Sequence, residues 1–415
     1  MADPLPIPEV AAPRYQLALQ KLWDQPAERI ALKLRGDPAV AGLDVRQLAE
    51  QVAQRRAALA KVPAWAAVEG LVWPLALAVE QASSEATACY KRRLLGPLLA
   101  ESVLIDFTAG MGVDAWALGG MLRHARLYEQ QAQLAAVTHH NLRKLLPDRS
   151  IDVWAQAAPV GAVLDQPAAP QIWFFDPARR SDSGARLRDF ADCTPDVLAH
   201  LAAVPDAVLR ILIKAAPMLD LSLAIEQLEA AGSLRVTEVH IVARAGVCRE
   251  VVYLLQRPQP GWQPLDRQFH AVDLQEARSL LWTQTERDGQ LPVPVGAVDA
   301  YLFDPHAALR KLRLLGPLCQ HFGLRQVATN TLLLTGPVAV DGFPGRMFRV
   351  LDGPLKKPAR ALPGRAASIV TRNFPEPAPT LRRRWKLKES ERQFLLAFRD
   401  HSQRAVIWHA ERVPA

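Results

Sequence analysis

Between Val103 and Gln256, short apolar runs alternate with segments of helical period, and this alternation limits the fold more than any other feature of the chain. The runs "VLIDF", "ARLYE", "IDVWA", "IWFFD" and "VLRILIK" are apolar at most positions. Strands of that kind hide both faces, so they belong in a mostly parallel sheet covered by helices on each side. The stretches between them, such as "QAQLAAVTHHNLRKLL" and "LDLSLAIEQLEAA", repeat apolar residues every three or four positions and supply those helices. The pair "VTEVHIVARA" and "REVVYLLQR", joined through "GVC", reads as an antiparallel hairpin at the sheet edge. The expected class is α/β, a Rossmann-like doubly wound sheet.

In such sheets ligands bind beyond the C-terminal ends of the strands. The first strand ends in "VLIDFTAGMGVDAW": Asp106 closes it, Thr108, Gly110 and Gly112 form the turn, and Asp114 opens the next helix. Glycines there admit close backbone approach, and a helix N-terminus favours negative charge. A lone GxG is weak evidence, and read as GxGxxA it also fits a dinucleotide enzyme. Asp106 distinguishes the two, because a carboxylate repels pyrophosphate and complements a sulfonium and an ammonium group. S-adenosylmethionine is therefore the expected cofactor. Glu129, ending the second strand in "LYEQ", stands where an acid meets ribose hydroxyls. Gln156, after the third strand, is placed to accept a hydrogen bond from the adenine amine. The competing reading makes Asp106 and Glu129 helix caps.

The fourth strand, "QIWFFDPARRSD", ends in Asp176-Pro177 and then shows Arg179 and Arg180. Enzymes that methylate base nitrogens carry Asp or Asn, two prolines and an aromatic here; Ala178 and Arg179 depart from that pattern. The turn also resembles that of uridine carbon-5 RNA methyltransferases, which need a cysteine on the fifth strand's loop. That loop reads "ILIKAAPMLD", with Lys214 and no cysteine. A nitrogen nucleophile is the expected acceptor, with Asp176 taking its hydrogen, Arg179 and Arg180 on a phosphate or a flipped base, and Lys214 an anion contact. Each arginine, alternatively, caps a helix or makes a structural ion pair.

Around the sheet, residues 1–92 read as helices. Residues 93–262 hold the sheet domain, and "RPQPGWQP" near residue 260 the exit linker. Residues 270–335 and 336–410 read as two small α+β pieces. Residues 341–400 hold 14 lysines and arginines against 6 acidic residues, while the rest balances at 36 and 36. A local excess of that kind marks a polyanion-binding module. Its candidate contacts are Arg372, Arg382, Arg383, Arg384, Lys386 and Lys388, with Trp385 as a stacking ring. In "EQASSEATACYKRR", Gln81, Ser84, Thr87 and Lys91 fall near one helical face, a lid over the cofactor or a solvated face. Four cysteines at least 55 residues apart, with no CxxC pair, fit reduced thiols in a cytoplasm. No apolar run reaches the length of a membrane span and the first residues lack the form of a secretory signal. No metal is expected: His139, His140 and His240 show no ligand spacing.

Together "LAVEQASSEATACYK", "LIDFTAGMGVD", "LYEQ", "DPARR", "IKAAPMLD" and "SIVTRNFP…LRRRWKLKE" resemble bacterial class I methyltransferase-like proteins with a C-terminal THUMP-like domain, from about residue 70 to 400. Ala109 and Ala216 depart from that family's usual glycine and serine, neither removing a charge. The resemblance implies a helical N-terminal region, a class I methyltransferase fold over 93–262, a ferredoxin-like piece over 270–335 and a THUMP-like RNA-binding end over 336–410. It implies a cytoplasmic enzyme that methylates structured RNA, tRNA or rRNA. A catalytically degenerate RNA-binding or assembly protein on the same fold is the alternative, and a dinucleotide oxidoreductase a third reading.

Overall fold

The computed structural model describes residues 8–34, 40–96, 101–160, 169–179, 189–275, 278–360 and 362–414. Two compact units emerge, residues 1–237 with 252–260, and residues 238–251 with 261–415. Among the described residues no helix is long and apolar enough to cross a membrane.

The first unit begins with helices α1 (Pro13–Leu22), α2 (Ala27–Lys33), α3 (Val45–Lys61), α4 (Ala76–Gln81) and α5 (Glu85–Arg93). Strands β1 (Val103–Asp106), β2 (His124–Tyr128) and β3 (Ser150–Trp154) then alternate with α6 (Val113–Gly119) and α7 (Ala132–Leu145). Next come β4 (Gln171–Phe175), the short β5 (Ala178–Arg179) and β6 (Cys193–Thr194), α8 (Val197–Ala202), β7 (Val208–Ala215) and α9 (Leu221–Ala230). The hairpin β8 (Arg235–Arg244) and β9 (Val247–Gln256) follows. The sheet order is β3-β2-β1-β4-β7-β9-β8. The pairs β1–β2, β2–β3, β1–β4 and β4–β7 are all parallel. Every residue of β1 and β4 is buried, which is why those runs are apolar at all positions but Asp106 and Gln171. Asp44, Ser84, Asp196 and Asp220 each accept a backbone N–H in the first turn of α3, α5, α8 and α9 and so set where these helices begin.

The N-terminal helices share this unit and its core. Residues of α4 and α5, including Val79 and Ala88, pack with Met111, Val113 and Ala117 at the start of α6. Between α3 and α4 the extended segment at Val72 and Trp73 is clamped by two buried amides. Asn141 exchanges two hydrogen bonds with the Val72 backbone (2.9 and 2.6 Å), and Gln51 does the same with Trp73 (2.9 and 2.7 Å). Each amide satisfies one N–H and one C=O that burial would otherwise leave unpaired.

The hairpin turns at Ala245 and Gly246, both at positive φ (52° and 73°), one step before the expected "GVC". It does not end the sheet. In the second unit β8 continues with β10 (Gln268–Gln275), which pairs with it in parallel, and β11 (Arg278–Thr285) follows antiparallel. The buried residues of β8 explain the extension, since an apolar strand left at an edge would expose its backbone. His240 thereby lies opposite His270, and with Glu238 the two form a cluster that sequence spacing does not show.

The rest of the second unit is a sheet of β12 (Tyr301–Pro305), β13 (Arg325–Ala328), β14 (Thr331–Gly336), β15 (Gly345–Asp352), β16 (Ser368–Arg372), β17 (Gln393–Arg399) and β18 (Ala405–Val413). Its order is β13-β14-β12-β15-β18-β17-β16. The expected limits at 262–270 and 335–336 therefore do not match the strand pairing. β10 and β11 extend the first sheet, and β12 pairs with β15 across the second limit.

Candidate active site and basic surface

Five strand ends of the first unit, those of β1, β2, β3, β4 and β7, carry the expected cofactor and catalytic residues. Asp106, at the end of β1, has no exposed surface. Its Oδ1 accepts the Thr108 backbone N–H (2.9 Å), while its buried Oδ2 has no hydrogen-bond partner among the described residues. Burial pushes its pKa up to about 8, and the neighbouring Asp114 and Asp176 charges add to the rise. Its second oxygen is thus left available beside the Thr108 turn among the described residues.

That loop is shaped by two glycines and by Glu129. Gly112 has φ +87° and caps α6; a Cβ there would meet the Thr138 methyl at 2.9 Å. Gly110, at φ +51°, would meet only the Thr108 carbonyl oxygen, at 3.9 Å, so its Cβ direction is open. Thr138 donates to the Gly110 carbonyl (2.6 Å). Glu129 accepts the N–H of Gly110 (3.0 Å) through one carboxylate oxygen and that of Gln131 (2.9 Å) through the other. It ties the ends of β1 and β2 together. Gln156 is exposed just past β3, its N–H turned to the Trp154 carbonyl.

Asp114 differs from its expected role. It is buried in α6 and faces inward, accepting from Ser83 (2.6 Å) and pairing with the fully buried Lys91 of α5 (3.0 Å). Burial opposes its ionisation, yet Lys91 and then Lys214 hold its pKa below the usual carboxylate value. Ser83 also accepts from Lys214 (3.2 Å), whose ammonium donates to Asp176 Oδ2 (2.6 Å). The Asp176 N–H in turn donates to Thr108 Oγ1 (2.7 Å). One polar chain thus runs Lys91–Asp114–Ser83–Lys214–Asp176–Thr108–Asp106. Sequence reasoning does not single out Ser83, and it places Lys91 on a lid or a solvated face, whereas Lys91 is fully buried. Their partners lie 31 and 131 residues away for Ser83 and 23 away for Lys91, and a lysine on a helix gives no local sign of burial.

Asp176 keeps 35% of its side-chain surface exposed and Lys214 14%. Arg179 lies in β5, its backbone opposite Cys193 of β6; its side chain and the whole of Arg180 lie outside the described residues. Cys193 itself is fully buried. Behind the site, Phe107 stacks on Phe175 (4.1 Å between centroids) and meets His200 edge-on (4.6 Å). Burial pushes the His200 pKa down.

The basic segment divides into paired and exposed side chains. Arg372 is a structural residue. It binds the buried Asp304 through Nε and Nη2 (2.8 Å each), and Arg346 (2.6 Å) and Arg310 (3.3 Å) share that carboxylate. A buried carboxylate needs such partners. Arg382 pairs with Glu389 (2.5 Å) and Arg384 with Glu376 (2.7 Å). Trp385 is half-buried against the cluster that holds Leu381 and Leu387. Arg383, Lys386 and Lys388 are exposed as expected. In the same domain an open cavity of about 400 Å³ is lined by Arg346, Arg372 and Arg412 together with Glu391 and apolar residues such as Ile369 and Phe394.

The strand order and the loop after β1 define a class I methyltransferase-like fold. Residues 345–412 match the THUMP domain-like family, so the chain joins that fold to a C-terminal THUMP-like domain. The crystal structure of a candidate methyltransferase from Porphyromonas gingivalis W83 superposes with a TM-score of 0.81 at 23% identity, covering 99% of this chain and 100% of that one. A candidate RNA methyltransferase from Pyrococcus horikoshii overlaps 48% of this chain and 97% of its own (13% identity, TM-score 0.34). An rRNA methylase from Streptococcus thermophilus overlaps 42% of this chain and 95% of its own (14%, 0.29). No curated protein sequence matches the chain.

Proposed function

We propose that this chain methylates RNA, tRNA or rRNA, at a base nitrogen, using S-adenosylmethionine. The observation that carries the reading is the buried, unpartnered Asp106 Oδ2 beneath an open glycine loop, within one hydrogen-bonded chain of a solvent-accessible Asp176. When bound, S-adenosylmethionine supplies an electrophilic methyl group. Asp106 would take its methionine end and Glu129 its ribose hydroxyls, while Gln156 would meet the adenine and Gly110 leaves room for the backbone to approach.

Asp176 would accept a hydrogen from the acceptor amine or ring nitrogen and hold its lone pair in line with the methyl group. Lys214 orients Asp176 and so acts as a positioning residue; Thr108 fixes the same turn from the other side. Arg179 and Arg180 remain the proposed contacts to a flanking phosphate. Asp114 leaves the cofactor set, because its carboxylate is spent on Lys91 and Ser83. For RNA, the exposed Arg383, Lys386 and Lys388 are the proposed surface, cations being what phosphates require.

The reading is tested by labelled methyl transfer from S-adenosylmethionine to bulk RNA of a strain lacking this protein, followed by nucleoside analysis. A methylated base that disappears with Asp176→Ala, at unchanged cofactor affinity, is the expected result. The second reading, a degenerate RNA-binding protein, draws on the Lys214 ammonium already engaging Asp176. Cofactor and RNA binding without turnover would establish it.

A further inference from the structure

Far along the chain from the strand ends discussed above, three side chains of the second unit converge on one point. Glu238 and His240 lie two apart on β8 and so share a sheet face, and His270 of β10 stands directly opposite His240. The two imidazoles stack with centroids 4.4 Å apart and planes 9° apart. The Glu238 carboxylate oxygen lies 3.1 Å from His240 Nε2 and 3.5 Å from His270 Nε2, and one donor atom from each residue falls within 4.8 Å of the others. We propose that Glu238, His240 and His270 bind a divalent transition-metal ion, zinc in the first place.

Four observations support the ion. Two donors each about 2.0–2.1 Å from a tetrahedral zinc stand roughly 3.3–3.4 Å apart. The two histidine-to-glutamate separations bracket that value, and the imidazoles must turn out of their parallel stack for both lone pairs to meet one ion. Second, His270 Nε2 is buried and, among the described residues, has only the long 3.5 Å approach of the Glu238 carboxylate to occupy it. Third, the other nitrogen of that ring, Nδ1, meets Thr283 Oγ1 at 2.9 Å across β11. Thr283 Oγ1 can accept a proton from Nδ1, and in that tautomer the Nε2 lone pair is left for an ion, as a metal-bound histidine requires. Fourth, the surroundings are graded. Val242 and Val272, two residues further on the same face, are fully buried, whereas a third of the Glu238 side chain is exposed. Water can therefore reach a fourth position while the apolar end keeps the ligands desolvated. Two nitrogens and one carboxylate suit zinc, cobalt or nickel, and too few hard oxygens are present for magnesium or calcium.

The test uses untagged full-length protein stripped with a chelator and titrated with zinc chloride in a calorimeter. One ion per chain is expected, and cobalt in place of zinc should give the visible absorption of a four-coordinate ion. His270→Gln and Glu238→Gln should each weaken zinc by about tenfold or more. Zinc should also protect His270 of the unmodified protein from diethyl pyrocarbonate, read by peptide mapping, which needs no variant to fold. No uptake by the unmodified protein, equal affinity in both variants, or a His270 that reacts equally with and without zinc would each overturn the proposal.

Discussion

Asp106 is the residue on which pH acts most directly. Its carboxyl titrates near 4 in an unfolded chain and at about 8 when buried. Below pH 4 it is protonated in both states and costs the fold nothing. Between those values only the folded state holds the proton, so its contribution to stability falls as pH rises and is lost by about pH 8. Asp106→Asn imitates the protonated form. The melting temperature of the parent protein should therefore drop relative to Asp106→Asn on going from pH 5 to pH 8; parallel curves would show that the carboxyl titrates normally. Glu129 works differently, because it supports the loop as well as the proposed ribose. Glu129→Ala should weaken S-adenosylmethionine binding roughly ten- to hundredfold by loss of charge-assisted hydrogen bonds. It should also lower the melting temperature without ligand, since the Gly110 and Gln131 N–H groups lose their acceptor. Unchanged affinity in calorimetry would remove Glu129 from the cofactor site.

At the scale of elements, the loop after β1 depends on how closely α7 approaches it. Gly112→Ala puts a methyl group 2.9 Å from the Thr138 side chain and leaves a residue with Cβ at positive φ. A cost of about 1–3 kcal/mol is expected, measurable in urea denaturation, and a neutral result would mean that α7 yields. This turn was legible in the sequence, as were the strands around it, because burial on both faces demands apolar residues in succession. The partners of the charged residues were not legible. Arg372 meets Asp304 across 68 residues, and Lys214 meets Ser83 across 131. Strand and helix pairing brings those groups together, and no local pattern records it. The basic run "LRRRWK" likewise reads as one surface, whereas folding pairs two of its arginines with Glu389 and Glu376.

For the whole molecule, the charge excess yields a prediction about RNA that separates function from folding. Replacing Arg383, Lys386 and Lys388 with Gln should flatten the log–log dependence of RNA binding on salt by about two units, at roughly 0.7 per single-stranded phosphate contact. Arg372→Gln should instead lower stability, by leaving the buried Asp304 short of a partner. Binding across a salt series, beside a thermal melt, distinguishes them; an unchanged slope in the triple variant would move the RNA surface elsewhere.

The path of the chain between the two units has a consequence for biosynthesis. The chain leaves the first unit after Thr237, gives residues 238–251 to the second, returns for 252–260 and then departs for good. The first unit therefore cannot be completed on the ribosome until residue 260 has emerged, by which time a fragment of the second is already made and waiting. That fragment, including Glu238 and His240, can pair within its β8–β9 hairpin, but the β10 side of β8 stays uncovered until residues 268–275 follow. A gene cut at any point between 238 and 260 would separate one unit from part of itself.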